Sequence, residues 1–69
     1  MVSFMENIGE AAGDIWRVLE ENSGPLTTTQ IKNRTELPVN LLFAGIGWLA
    51  REGKVNISGS GSKIELSLK

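Results

Sequence analysis

Pro38-Val39-Asn40-Leu41-Leu42-Phe43-Ala44-Gly45-Ile46-Gly47-Trp48-Leu49-Ala50-Arg51-Glu52-Gly53-Lys54-Val55 reads as a helix that stops and hands over to a strand. Proline suits a first helical position, where its missing N–H has no partner to lose. At about 100° per residue, Val39, Leu42, Phe43, Ile46, Leu49 and Ala50 fall on one broad face, read as the inward one. Gly53 supplies the left-handed cap that ends the helix. Beyond it the apolar period drops to two. Val55 and Ile57 alternate with polar residues, and so do Ile64, Leu66 and Leu68. Two such runs around the polar Gly59-Ser60-Gly61-Ser62-Lys63 predict a hairpin with a flexible tip.

Two more helices precede this segment. Ser3-Phe4-Met5-Glu6 has the S-x-x-E form of a capping box. After it Ile8, Ala11, Ala12, Ile15 and Leu19 make one helical stripe, which predicts a helix over residues 4–22. Gly9 and Gly13 inside it cost roughly 1 kcal/mol each relative to alanine. Their spacing suggests a smooth track for the close approach of another element. Asn22-Ser23-Gly24-Pro25 stops the helix. Thr27 and Gln30 then repeat the capping pattern as T-x-x-Q, opening a short helix over Thr28–Arg34 with Ile31 inward. Thr35-Glu36 makes the turn, and Leu37 is placed to plug the core between the second and third helices.

Three helices followed by a two-stranded hairpin make a mainly α chain with a small β element (α+β). A hairpin alone is marginal and needs a surface to pack on; Val55, Ile57, Ile64, Leu66 and Leu68 are expected to lie against the helices. This is the winged helix-turn-helix arrangement, with the hairpin as the wing, over a single domain of residues 1–69.

The run from Ala44 to Val55 is similar to a recognition helix entering a wing. Together with Gly13-Asp14-Ile15-Trp16 and Gly24-Pro25-Leu26-Thr27, it resembles a family of small prokaryotic winged helix-turn-helix proteins of unassigned function, in which a G-W-L-A-R-E segment recurs. The resemblance covers almost the whole chain. It implies the fold, and fold alone does not carry function.

Composition narrows the function classes. With 69 residues, such a domain buries only roughly 60% of its unfolded surface, so self-association would help it. There is no Cys, His or Tyr, which removes disulfides, thiol nucleophiles, the commonest general base and the usual soft metal ligands. No enzyme activity, metal, cofactor or small-molecule substrate is expected. Gly45-Ile46-Gly47 lies inside a helix with no strand before it, so it is no dinucleotide fingerprint. No apolar run is long enough to span a membrane, and a cytoplasmic location is expected. Net charge is −1, but residues 1–31 hold five acids and one base, whereas residues 32–69 hold six bases and three acids.

Double-stranded DNA is the default partner for this fold. The second helix of the motif enters the major groove by its N-terminal part. Asn40 has the amide that pairs with adenine. Thr28 and Gln30 offer donors to phosphate, while Lys32, Arg34, Arg51 and Lys63 add charge along the backbone. The bland alternative for each is a helix cap or a solvated side chain. Against DNA stands the third helix, which has no base between Pro38 and Ala50. Leu41, Ala44, Gly45 and Trp48 instead form a second apolar stripe, assigned to the outward face. Either Trp48 tucks against the first helix near Trp16 and Gly13 or under the wing, or the stripe is a dimer or partner interface. Two readings follow: a weakly DNA-binding, transcription-regulator-like homodimer, and an interaction module that keeps the fold without binding DNA.

Overall fold

In a computed structural model, residues 3–61 and 63–69 are described, in the order α1 (Phe4–Glu21), β1 (Leu26–Thr27), α2 (Thr28–Thr35), α3 (Val39–Arg51), β2 (Val55–Ser60) and β3 (Lys63–Leu68). The helices start and stop where side-chain chemistry dictates. The Ser3 hydroxyl accepts the Glu6 N–H at the head of α1. Thr27 and Gln30 close a full capping box on α2: the Gln30 N–H donates to Thr27 Oγ1 at 3.1 Å, and the Thr27 N–H donates to Gln30 Oε1 at 2.9 Å. Such a cap is worth about 1 kcal/mol. Helix α2 ends at Glu36, whose φ of 58° puts a non-glycine residue in the left-handed region. Pro38 stands one position earlier than expected, as the N-cap of α3 rather than its first residue. The left-handed Gly53 follows the end of α3.

The sheet carries one strand more than the sequence predicts. Leu26 and Thr27 pair with Leu66 and Glu65, so the three antiparallel strands run β1-β3-β2. A two-residue strand has no periodicity to detect; only its buried Leu26 marks it. The wing strands are also longer than expected. Gly59 pairs with Ile64 and Ser60 with Lys63, so most of the expected flexible tip is sheet; Ser62 lies outside the described residues. Gly59 adopts a φ of 90°, and a side chain there would run into the Lys63 carbonyl oxygen. Only glycine fits that corner.

One core joins these elements. Ala12, Ile15 and Leu19 of α1 meet Ile31 of α2, Leu42, Ile46 and Leu49 of α3, and Leu26, Val55 and Leu66 of the strands. Leu37, Ile64 and Leu68 pack against its rim, as expected. Ile57 does not join it and remains 47% exposed. It faces the same side as its partner Leu66, but β2 is an edge strand and only its Val55 end is buried.

The phase of α3 also differs from expectation. Its buried residues are Leu42, Gly45, Ile46 and Leu49, whereas Val39 and Phe43 are about half exposed and Ala50 is exposed. Gly45, assigned to the outward stripe, points instead at α1. A Cβ built on it would sit 2.9 Å from Ile15 Cδ1, 3.1 Å from the Ala12 nitrogen and 3.3 Å from the Ala11 carbonyl carbon. The helices therefore close on each other through Gly45 and the Ala11-Ala12 pair. They do not use the Gly9–Gly13 track, where an added Cβ meets nothing within 4 Å.

Gly45→Ala and Gly47→Ala are accordingly expected to act in opposite directions. The first pushes a methyl into backbone and lowers stability by about 1–3 kcal/mol. The second fills open space and raises it by about 1 kcal/mol through helix propensity. Thermal or urea unfolding at low protein concentration measures both.

Candidate interaction surface

The side chains expected to meet DNA are scattered over the surface, and several already serve the fold. Gln30 holds the α2 cap through its amide oxygen, and Thr28 is half-buried in the first turn behind it. Arg34 donates to Asn22 Oδ1 at 3.4 Å, and Asn22 in turn donates to the Gly24 carbonyl at 2.6 Å. Arg34 is thus turned toward the α1–β1 loop. Asn40 Oδ1 accepts the Leu41 N–H at 2.8 Å. Among the described residues the one ion pair is Arg17–Asp14, on the exposed side of α1.

Lys63 is the base that the fold does bring to the helix-turn-helix. It shares a shallow cleft with Thr27, Thr29 and Glu65. The β1–β3 pairing sets the base of the wing beside the start of α2, with Thr27 directly opposite Glu65. The cleft therefore offers two hydroxyls and an ammonium, with a carboxylate beside them that opposes an anion.

The solvent face of α3 has a different character. Asn40, Gly47 and Arg51 are exposed and Ala44 is half-buried. Val39 (54%) and Phe43 (49%) stand exposed on one flank and Trp48 (51%) on the other, next to the half-buried Leu41. The helix is apolar on both sides, as its composition implies. Of the residues assigned to the outer stripe, Trp48 is exposed, Leu41 and Ala44 are intermediate, and Gly45 is buried. Gly47 is outward, beside Asn40 and Arg51, as expected, whereas Val39 and Phe43, expected on the inward face, belong to the outer one. No signal in the sequence separates the two apolar faces; the contact that does so is the close approach at Gly45.

Trp48 also reaches toward α1, one of the two arrangements expected for it. With Trp16, Gly9, Ala12, Gly13, Leu49 and Lys54 it lines an open groove of about 340 Å³. Neither indole is buried there, Trp16 remaining 36% exposed. A second shallow depression lies between Trp48, Arg51 and Glu52. Among the described residues, no helix is long and apolar enough to cross a membrane, and no three acidic side chains gather into a metal-binding group.

Residues 4–68 match the family described as Winged helix-turn-helix domain (DUF2582). The solution NMR structure of protein BT2368 from Bacteroides thetaiotaomicron is similar at 32% identity and a TM-score of 0.77, over 91% of this chain and 76% of that one. A structure of HOP2, described in terms of DNA recognition and protein interaction domains and homologous DNA pairing, is similar at 22% identity and a TM-score of 0.77. That match covers 86% of this chain and 98% of the HOP2 chain, and at such identity the likeness is one of fold. No curated protein matches the chain.

Thr27→Ala is expected to remove the hydroxyl arm of the α2 cap and cost about 1 kcal/mol. Since Thr27 also belongs to β1, amide hydrogen exchange should quicken at Glu65 as well as in the first turn of α2. Loss of protection confined to α2 would show that cap and strand are not coupled.

Proposed function

The chain belongs to the winged helix-turn-helix family DUF2582, and from that premise we propose that it is a protein-association module whose third helix docks on protein instead of reading bases. One observation carries this: the solvent face of α3 presents Val39, Phe43, Ala44, Gly47 and Trp48, with Asn40 as its one amide and Arg51 as its single base. A groove-reading helix works through hydrogen bonds to base edges and positions itself through cations on phosphate. Half-exposed aromatic rings in contact with water favour burial against another apolar surface. Trp and Arg are also the residues that carry most energy at the centres of protein interfaces.

A second reading, a DNA-binding, transcription-regulator-like protein, rests on Lys63. The wing brings this ammonium beside Thr27 and Thr29 at the start of α2, where backbone phosphate is gripped in helix-turn-helix complexes. Lys32 and Arg51 would add to it. With so few cations, counterion release is small, so affinity is low and vanishes with modest salt. The net charge of −1 works against approach to a polyanion.

A titration with a short duplex at low ionic strength, followed by amide NMR shifts and Trp fluorescence, separates the two. The association reading expects no change on the α3 face at any duplex concentration. Salt-sensitive shifts at Asn40, Gly47 and Arg51 would overturn it in favour of groove reading. Shifts confined to Thr27, Thr29 and Lys63 would mark phosphate contact by α2 and the wing that leaves α3 free.

A further inference from the structure

Docking by α3 leaves open what the helix docks on. Resting on that reading, we infer that the partner is a second copy of this chain, bound through an antiparallel α3–α3 contact.

The face is complementary to itself. At about 100° per residue, Asn40, Ala44, Gly47 and Arg51 lie within roughly 60° of one another and form its midline. Val39, Phe43 and Ala50 flank that line on one side, and Leu41 and Trp48 on the other. From the N-terminal end the midline runs amide, small, small, guanidinium. A second α3 laid antiparallel, with the two-fold axis level with the gap between Ala44 and Gly47, sets small against small and amide against guanidinium. Ala44 meets the partner subunit's Gly47, and Asn40 meets the partner subunit's Arg51. Each match occurs twice, as a two-fold interface requires.

The flanks fit in the same register. A two-fold axis across the pair keeps each flank on its own side. Phe43 then comes down between the partner subunit's Gly47 and Ala50, the smallest side chains on that side. Trp48 comes down against the partner subunit's Leu41 and Ala44. Within one chain, Gly47 has no packing role, because nothing lies within 4 Å of a Cβ placed there. Across the pair it is the hollow that admits a phenyl ring.

Charge selects this pairing over the alternatives. A parallel arrangement sets Arg51 against Arg51. Pairing through α1, whose Phe4, Met5 and Trp16 are also exposed, sets a helix that carries Glu6, Glu10, Glu20 and Glu21 against the same carboxylates of the partner subunit, with Arg17 already paired to Asp14. The antiparallel α3 contact opposes no like charges along its midline, and Asn40 Oδ1, which already accepts one N–H, keeps a second lone pair for the guanidinium. A standard interface takes about 800 Å² from each partner, roughly a sixth of the 4624 Å² exposed here. Val39, Phe43 and Trp48, each about half exposed, supply its apolar centre along one helix.

Analytical ultracentrifugation of the full chain tests the inference with two variants. Gly47→Leu fills space that is open in the single chain and favours the helix, so folding is preserved while the hollow for Phe43 is closed. Phe43→Ala removes the ring that enters it. Wild-type protein is expected to sediment as a dimer, and each variant to raise the dissociation constant about tenfold or more, with Gly47→Leu melting no lower than wild type when both are monomeric. A wild type that stays monomeric up to roughly 1 mM, where self-association is worth only about 4 kcal/mol, overturns the inference. So does a dimer that Gly47→Leu leaves unchanged. A monomer whose α3 amides are silent toward duplex DNA removes the second copy and keeps protein docking; a monomer with salt-sensitive α3 shifts removes both.

Discussion

The close approach of α3 to α1 at Gly45 is the contact on which the rest of the structure depends. At that point a hydrogen stands where every other residue would place a carbon, and the Ala12 nitrogen and Ala11 carbonyl carbon lie just beyond it. Protein interiors tolerate neither voids nor overlaps at the scale of a methyl group. Fixing this contact fixes the rotation of α3 about its own axis. Leu42, Ile46 and Leu49 are then committed to the core, and Val39, Phe43 and Trp48 are committed to the outside. The surface chemistry of the third helix is thus a consequence of a packing contact on its opposite side.

That dependence explains which parts of the molecule were legible in the sequence. The helices were, because each carries a local signal: the Ser3 and Thr27 caps, the stripe from Ala11 to Leu19, Gly53 after Arg51. The wing was legible through its change of period. The phase of α3 was not. A helix with apolar residues on both sides gives two equivalent readings of its buried face, and the arbiter, Gly45 against Ala11 and Ala12, lies more than thirty residues away in the chain. The same holds for β1, two residues whose strand character exists only through pairing with Leu66 and Glu65. The expected DNA-contacting side chains were legible as residue types but not as roles. Gln30 is spent on a cap and Arg34 on a loop, and only three-dimensional placement brings Lys63 to Thr27 and Thr29.

Charge and packing point the same way on the outer surface. A protein that holds DNA through phosphates gathers cations on the face it presents. Here five acids run along α1, most bases are spread over α2, the end of α3 and the wing, and the α3 face between them is apolar apart from Asn40 and Arg51. The fold supplies a platform, with one core under a capped helix pair and a sheet, and what that platform does is decided by the side chains it presents.

The glycines of the third helix and the wing sharpen the point, because each carries a backbone entropy cost. Gly45 is offset by close helix packing, and Gly59 by a corner no side chain can enter. Gly47 has neither compensation: its φ is helical and its surroundings are empty. A mid-helix glycine costs about 1 kcal/mol relative to alanine, and nothing inside one chain returns it. It sits on the exposed midline, one turn from a half-exposed Phe43, so under the proposed pairing the compensation comes from the second copy. A surface that approaches the α3 backbone more closely than a methyl group allows provides it, and the phenyl ring of a symmetry-related Phe43 has the size to do so.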